Sequence, residues 1–297
     1  MRLKLVPKNT SWNFFSRSKV WIGLSIILVV LSLISFFVQS LNFGIDFRGG
    51  TSIRTESSEP INVAAYRSAL SSLDLGDITI SEVFDPSFEA DQNVAMIRIQ
   101  AQPGQEAATS ILVENSLQNL KGVSEDIKFV SVESVGPKVS GELIKTAIIA
   151  VILAISAVLF YIWIRFEWQF AVGAISALIH DVILTIGIFS LLQIKFDLAI
   201  IAAILTIVGY SLNDTVVVFD RVRENLRKFK KRSLIEVMNL SINETMSRTV
   251  MTSVTTLLAL ISLFVLGGDV IRGFVFAMIW GVVVGTYSSI SVSYTHL

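Results

Sequence analysis

Six apolar runs, at about residues 20–40, 143–164, 169–191, 197–219, 249–267 and 271–291, decide most of what this chain can become. Each approaches the ~20 residues a helix needs to cross the hydrocarbon core of a bilayer. In that medium the backbone must close its own hydrogen bonds, so a lone apolar run can span only as a helix. Composition agrees: 53% of residues are hydrophobic, 16% are charged and the mean hydropathy is +0.67, outside the balance of soluble globular domains. The expected class is a multi-span α-helical membrane protein with six transmembrane helices. The first run is longer than the apolar region of a signal peptide and no clear cleavage site follows, so it reads as an uncleaved helix.

The net charge of zero conceals an asymmetry that orients the spans. Residues 1–19 carry Arg2, Lys4, Lys8, Arg17 and Lys19 with no acid. Residues 220–232 carry seven Lys/Arg against Asp220 and Glu224. Basic segments stay on the cytoplasmic side, and with six spans both can do so. That places the N- and C-termini inside, with 220–247 as a basic cytoplasmic loop. The block 41–140, with seven Lys/Arg and fourteen Asp/Glu, falls outside. Arg221–Arg232 reads as a topology determinant and a surface for anionic membrane lipids, and no nucleic-acid partner is expected. There are no cysteines and two histidines, so neither a disulfide framework nor a metal site is expected.

The outer block reads as a folded domain. Strand patterns at Thr51–Thr55, Ile78–Phe84, Val94–Ile99 and Ile127–Val135 alternate with helical spacing over Pro60–Leu73 and Gln105–Leu120. The order β-α-β-β-α-β is that of a ferredoxin-like α+β unit, a fold that names no function by itself. Two motifs frame it. Gly44-Ile-Asp46-Phe-Arg-Gly49-Gly50 lacks the Gly-Lys-Ser/Thr of a phosphate loop, so its glycines read as tight turns where the chain leaves the membrane. Gly136-Pro137 breaks the last strand before the second span.

Ionisable residues inside apolar spans cost several kcal/mol and therefore mark function. Four need a reason: His180 and Asp181 in the third span, Asp214 in the fourth, and Arg248 at the start of the fifth. His180 and Asp181, being adjacent, point ~100° apart and are not expected to share a face. Tyr210 and Asp214 form a stripe on the fourth helix, flanked by Ser211, Asn213 and Thr215. Arg248, Thr252, Thr255 and Thr256, with Ser253, make a hydroxyl-rich face on the fifth. A carboxylate that binds and releases a proton, a permanently charged guanidinium beside it and hydroxyls that both donate and accept are the parts of a proton path. A static Asp214–Arg248 ion pair that pins helices is the other reading of the same residues. Gly173, Gly187, Gly209, Gly281 and Gly285 read as close helix approaches.

Taken together and in order, Gly44–Gly50, Ser134-Val-Gly-Pro-Lys-Val139, His180-Asp181, Gly209-Tyr-Ser-Leu-Asn-Asp-Thr215, Val218-Phe-Asp-Arg-Val-Arg-Glu-Asn225 and Ser247-Arg-Thr-Val-Met-Thr-Ser253 resemble the SecF family of the RND superfamily, over residues 12–291. The resemblance implies an RND-type half bundle of six helices in a bacterial inner membrane, with 41–140 periplasmic. It implies pairing with a SecD-like subunit and action on unfolded preprotein emerging from the SecYEG translocon, with YajC as a further partner. It also implies that the proton gradient supplies the energy and that no cofactor is needed. The family's membrane aspartate falls on Asp214 and its functional arginine on Arg248. Two other classes stay open on residues alone: a passive membrane scaffold, and an intramembrane aspartyl protease using Asp181 and Asp214, although His180-Asp181 and Leu212-Asn-Asp214 do not match the motifs of such enzymes. The ending Val292-Ser-Tyr-Thr-His-Leu297 departs from the family and resembles a translated sequencing adapter. On that expectation 292–297 are not native and His296 has no role.

Overall fold

The computed structural model describes residues 10–73, 75, 76, 78–83, 92–100, 106–118, 127–165, 168–267 and 269–291. The tail at 292–297 lies outside them. The chain divides into two compact units, one spanning 43–149 and the other the rest.

In the first unit a one-turn helix, α2 (Ile45–Arg48), leads into β1 (Gly50–Ser57). The elements α3 (Val63–Ser71), β2 (Ile78–Val83), β3 (Asn93–Ile99), α4 (Glu106–Gln118) and β4 (Lys128–Val135) follow. Gly49 and Gly50 take φ of 71° and 125°, values a side chain opposes, so the glycine pair is a turn as the sequence indicates. The strands form one antiparallel sheet in the order β2-β3-β1-β4, and the expected ferredoxin-like unit is present. Register explains its core: Ile80, Ile97 and Ile53 face one another across three strands. With Tyr66 and Leu70 of α3 and Val113 and Leu117 of α4 they close a single apolar cluster. Pro137 then opens α5 (Pro137–Arg165) at the first helical position, where its missing N–H costs nothing.

The second unit holds α1 (Ser18–Gln39), the later part of α5, α6 (Trp168–Leu192), α7 (Leu198–Lys228), α8 (Leu234–Leu266) and α9 (Asp269–Ser291). Among the described residues six helices, these five and α5, are long and apolar enough to cross a membrane. Half of the apolar stretch of α6, α7 and α9 is buried, against 11% for α1, α5 and α8, so the first three form the centre. Glycine permits the closest approaches: a Cβ on Gly187 would overlap Ser32 of α1, and one on Gly281 would overlap Ile207 of α7. Gly209 is different. Nothing lies within 4 Å of where its Cβ would be, so within this chain it marks an open face and not the close approach expected.

The expected loop 220–247 is another departure. α7 continues to Lys228 and α8 starts at Leu234, leaving only 229–233 between them. Hydropathy finds where apolar residues end, not where a helix ends. Here the helices continue because Val222, Asn225, Val237 and Met238 are buried on one face and Ser233 with Glu236 forms a capping box, which satisfies the first free amides of α8. Ahead of α1 the chain is tied to this extension. Asn243 of α8 accepts from Trp12 N (3.0 Å) and donates to Trp12 O (2.8 Å), and Asn239 accepts from Phe14 N (2.8 Å). Asn239 and Asn243 stand one turn apart on α8 and so meet alternate residues of this segment, Phe14 and Trp12.

Candidate functional site

Among the described residues two carboxylates are buried in the bundle, Asp181 at 1% and Asp214 at 2% exposure, and their surroundings differ in kind. Asp181 is saturated. Its Oδ2 accepts from Ser211 Oγ of α7 (2.6 Å) and Ser288 Oγ of α9 (2.7 Å), and its Oδ1 lies 3.0 Å from His180 Nδ1. Adjacent on the helix and ~100° apart, the His180 and Asp181 side chains reach sideways to meet each other, and both are buried. Asp214 has the opposite setting. Its Oδ2 is buried with no hydrogen-bond partner. A carboxylate held by three groups is fixed in place, whereas one with an orphaned buried oxygen carries an unmet desolvation cost and is free to take a new partner. No hydrogen bond among the described residues joins Asp181 to Asp214, so the shared-proton dyad of an aspartyl protease is not assembled.

The hub of this polar network lies on α9. Thr286 Oγ1 and Ser253 Oγ of α8 are 2.6 Å apart. The Tyr287 hydroxyl is 2.9 Å from Ser25 Oγ of α1 and donates to Trp21 O at 3.1 Å. Ser288 reaches Asp181 of α6. Successive helical residues step by ~100°, so three in a row address three different neighbours. Sequence reasoning named Ser211 and Ser253 but missed Thr286, Tyr287, Ser288 and Ser25. The available signal was the uninterrupted polar run 286–289 inside an apolar span. Replacing Ser288 with Ala should remove one donor from an enclosed carboxylate and lower stability by about 1.5–3 kcal/mol, measured as thermal unfolding of the detergent-solubilised protein.

The other expected residues are distributed as follows. Thr215 is buried and Asn213 exposed. Tyr210 Oη donates to Thr256 Oγ1 at 3.5 Å. Thr252 and Thr255 donate to carbonyls of their own helix, and so does Ser253 in addition to meeting Thr286. The α8 hydroxyls are therefore mostly satisfied locally and do not form a continuous ladder. Arg248 is exposed and, among the described residues, makes no ion pair. Among the described residues the expected Asp214–Arg248 pair is not closed within 4.0 Å.

Arg248 instead opens into a cavity of about 380 Å³ lined by α5, α7 and α8. Its wall carries Arg165, Arg221 and Arg248 against Asp220, Glu224 and Glu244, with Val216 and Val217 also lining it. Arg165 pairs with Asp220 (3.2 Å), and Arg221 with Glu224 (2.7 Å) and Glu244 (3.0 Å). Among the described residues no cluster of His, Cys, Asp or Glu can hold a metal.

A bundle of six spanning helices with two buried, unequally partnered carboxylates and an α+β domain between the first two spans defines a multi-pass membrane protein of the RND type. The family model "Protein export membrane protein SecD/SecF, C-terminal" matches residues 115–297, and the "SecD/SecF GG Motif" matches 34–61. The chain belongs to the SecF family of protein translocase subunits. It is 61% identical over 97% of its length to the protein translocase subunit SecF of Cereibacter sphaeroides, covering 89% of that relative. It is 40% identical over 98% of its length to that of Rickettsia bellii, covering 94%. The crystal structure of SecDF from Thermus thermophilus, a translocon-associated membrane protein, superposes on all of this chain with a TM-score of 0.84 at 34% identity. A super-membrane-facing form of SecDF superposes on 99% at 0.69. This chain spans 39% of each of those SecDF chains.

Proposed function

We propose that this chain is the SecF half of a SecDF-type assembly in a bacterial inner membrane. It uses the proton gradient, and no cofactor, to promote export of preprotein through SecYEG. Asp214 takes up and releases the proton, and Arg248 is the cation that exchanges with it. The observation that carries this reading is the contrast between a saturated Asp181 and an Asp214 whose buried Oδ2 has no partner. Neutralising or exposing one buried charge changes a helix-packing equilibrium by a few kcal/mol, enough to invert populations. Movement of the bundle then drives residues 41–140, on the periplasmic side, against emerging unfolded chain.

Charge supports the orientation: the basic extension of α7 and α8 stays in the cytoplasm. The partner reading draws on the open face at Gly209, with Ala202, Thr206 and Asn213 exposed along the same helix. Small residues in this spacing admit a close helix, and the SecD-like subunit is its occupant, with YajC a further associate. The test is export of a model preprotein by vesicles carrying SecYEG, the SecD-like chain and this chain. The accelerating effect of this chain should vanish when a protonophore collapses the gradient. Acceleration that survives the protonophore would favour a passive scaffold.

A further inference from the structure

The charges around the Arg248 cavity balance in number but not in pairing. Among the described residues three arginines face three acids, yet two of the arginines take all three acids and Arg248 is left over. The reason lies at Glu244. This residue is one turn before Arg248 on α8, and an acid four residues ahead of an arginine is the favourable order for a pair along a helix. That local pair is not made. Glu244 Oε2 is instead held across the helix interface by two α7 donors, Arg221 Nε at 3.0 Å and Asn225 Nδ2 at 2.8 Å. Asn225 is itself buried and also bonded to Ser241 of α8, so the acceptor is presented to α7 from a fixed position.

We infer that Arg221 is a positioning residue for the proton-coupling site: by occupying Glu244 it denies Arg248 its neighbour on α8 and keeps that guanidinium available to Asp214. Val217, one turn after Asp214, lines the same cavity as Arg248, so an unpaired Arg248 has the cavity as its route toward the buried carboxylate. Without Arg221, Glu244 turns to Arg248 and draws it away. The competing pairs are partly exposed, with Arg221 at 38% and Glu244 at 35%. They are closely balanced, which suits an exchange repeated on every cycle.

This inference rests on the proton-coupled reading above, and its test separates the two. Proton flux is measured in proteoliposomes containing the full chain with its SecD-like partner. Arg221→Gln should lower flux about threefold to fivefold, the scale on which a half-exposed ion pair acts. Adding Glu244→Gln should restore it, because the competing acid is gone. Loss of a merely structural contact would not be repaired by removing its second partner. Normal flux in Arg221→Gln, or a loss that Glu244→Gln does not reverse, overturns the assignment of Arg221 while Asp214→Asn remains inactive. Wild-type flux in Asp214→Asn would overturn the underlying reading instead.

Discussion

Asp214→Asn is expected to lower proton flux through the reconstituted assembly by at least about a hundredfold, the low end of what loss of a proton-transferring group costs. The substitution retains volume and a polar tip but cannot titrate. It should also be nearly silent for folding. The buried Oδ2 has no hydrogen bond to lose, and an amide is cheaper than a carboxylate to keep in an apolar span. Full helix content and partner binding with no flux would therefore be chemistry, not misfolding. The matched control is Asp181→Asn, which disturbs a carboxylate that accepts from Ser211 and Ser288. It should lower stability first and flux only as the bundle loosens.

Arg248→Met carries the second-largest effect, a fall in flux of about tenfold or more. The warrant is electrostatic: a cation within reach lowers the cost of an ionised carboxylate in a medium where Coulomb energies are large. Methionine keeps an unbranched apolar stem and removes the charge together with the guanidinium's N–H donors. Among the described residues Arg248 makes no ion pair, so its removal breaks no such pair. A fall in flux would thus report its participation at another point of the cycle. Near-normal flux would make Arg248 an anchor at the membrane surface. Measuring flux against transmembrane pH difference for both variants separates these outcomes.

Length and charge patterning carried the architecture. All six spans and the βαββαβ order appear where apolar runs and alternation place them, because both are local signals set by the backbone period. The extension of α7 and α8 was not legible, since its stabilisation comes from residues such as Asn225 and Val237 that pack only in the folded bundle. In the polar network, each partner had a sequence signal but the pairing had none. Asp181 reads as one more costly residue until Ser211 and Ser288 arrive from 30 and 107 positions away. Periodicity likewise placed Arg248 on the face of Thr252 and Thr255, but gave no sign that Glu244, one turn before it, is held by Arg221 of α7. Gly209 reads the same as Gly281 in sequence, yet one faces open space and the other Ile207.

Asp214, and not Asp181, is expected to be the group that gains and loses a proton. Infrared difference spectra of the reconstituted assembly, recorded across a pH titration, test this directly through the C=O stretch of protonated carboxyl groups. A titrating component is expected in the wild-type assembly, absent from Asp214→Asn and retained in Asp181→Asn. A component that survives in Asp214→Asn and disappears in Asp181→Asn would contradict it.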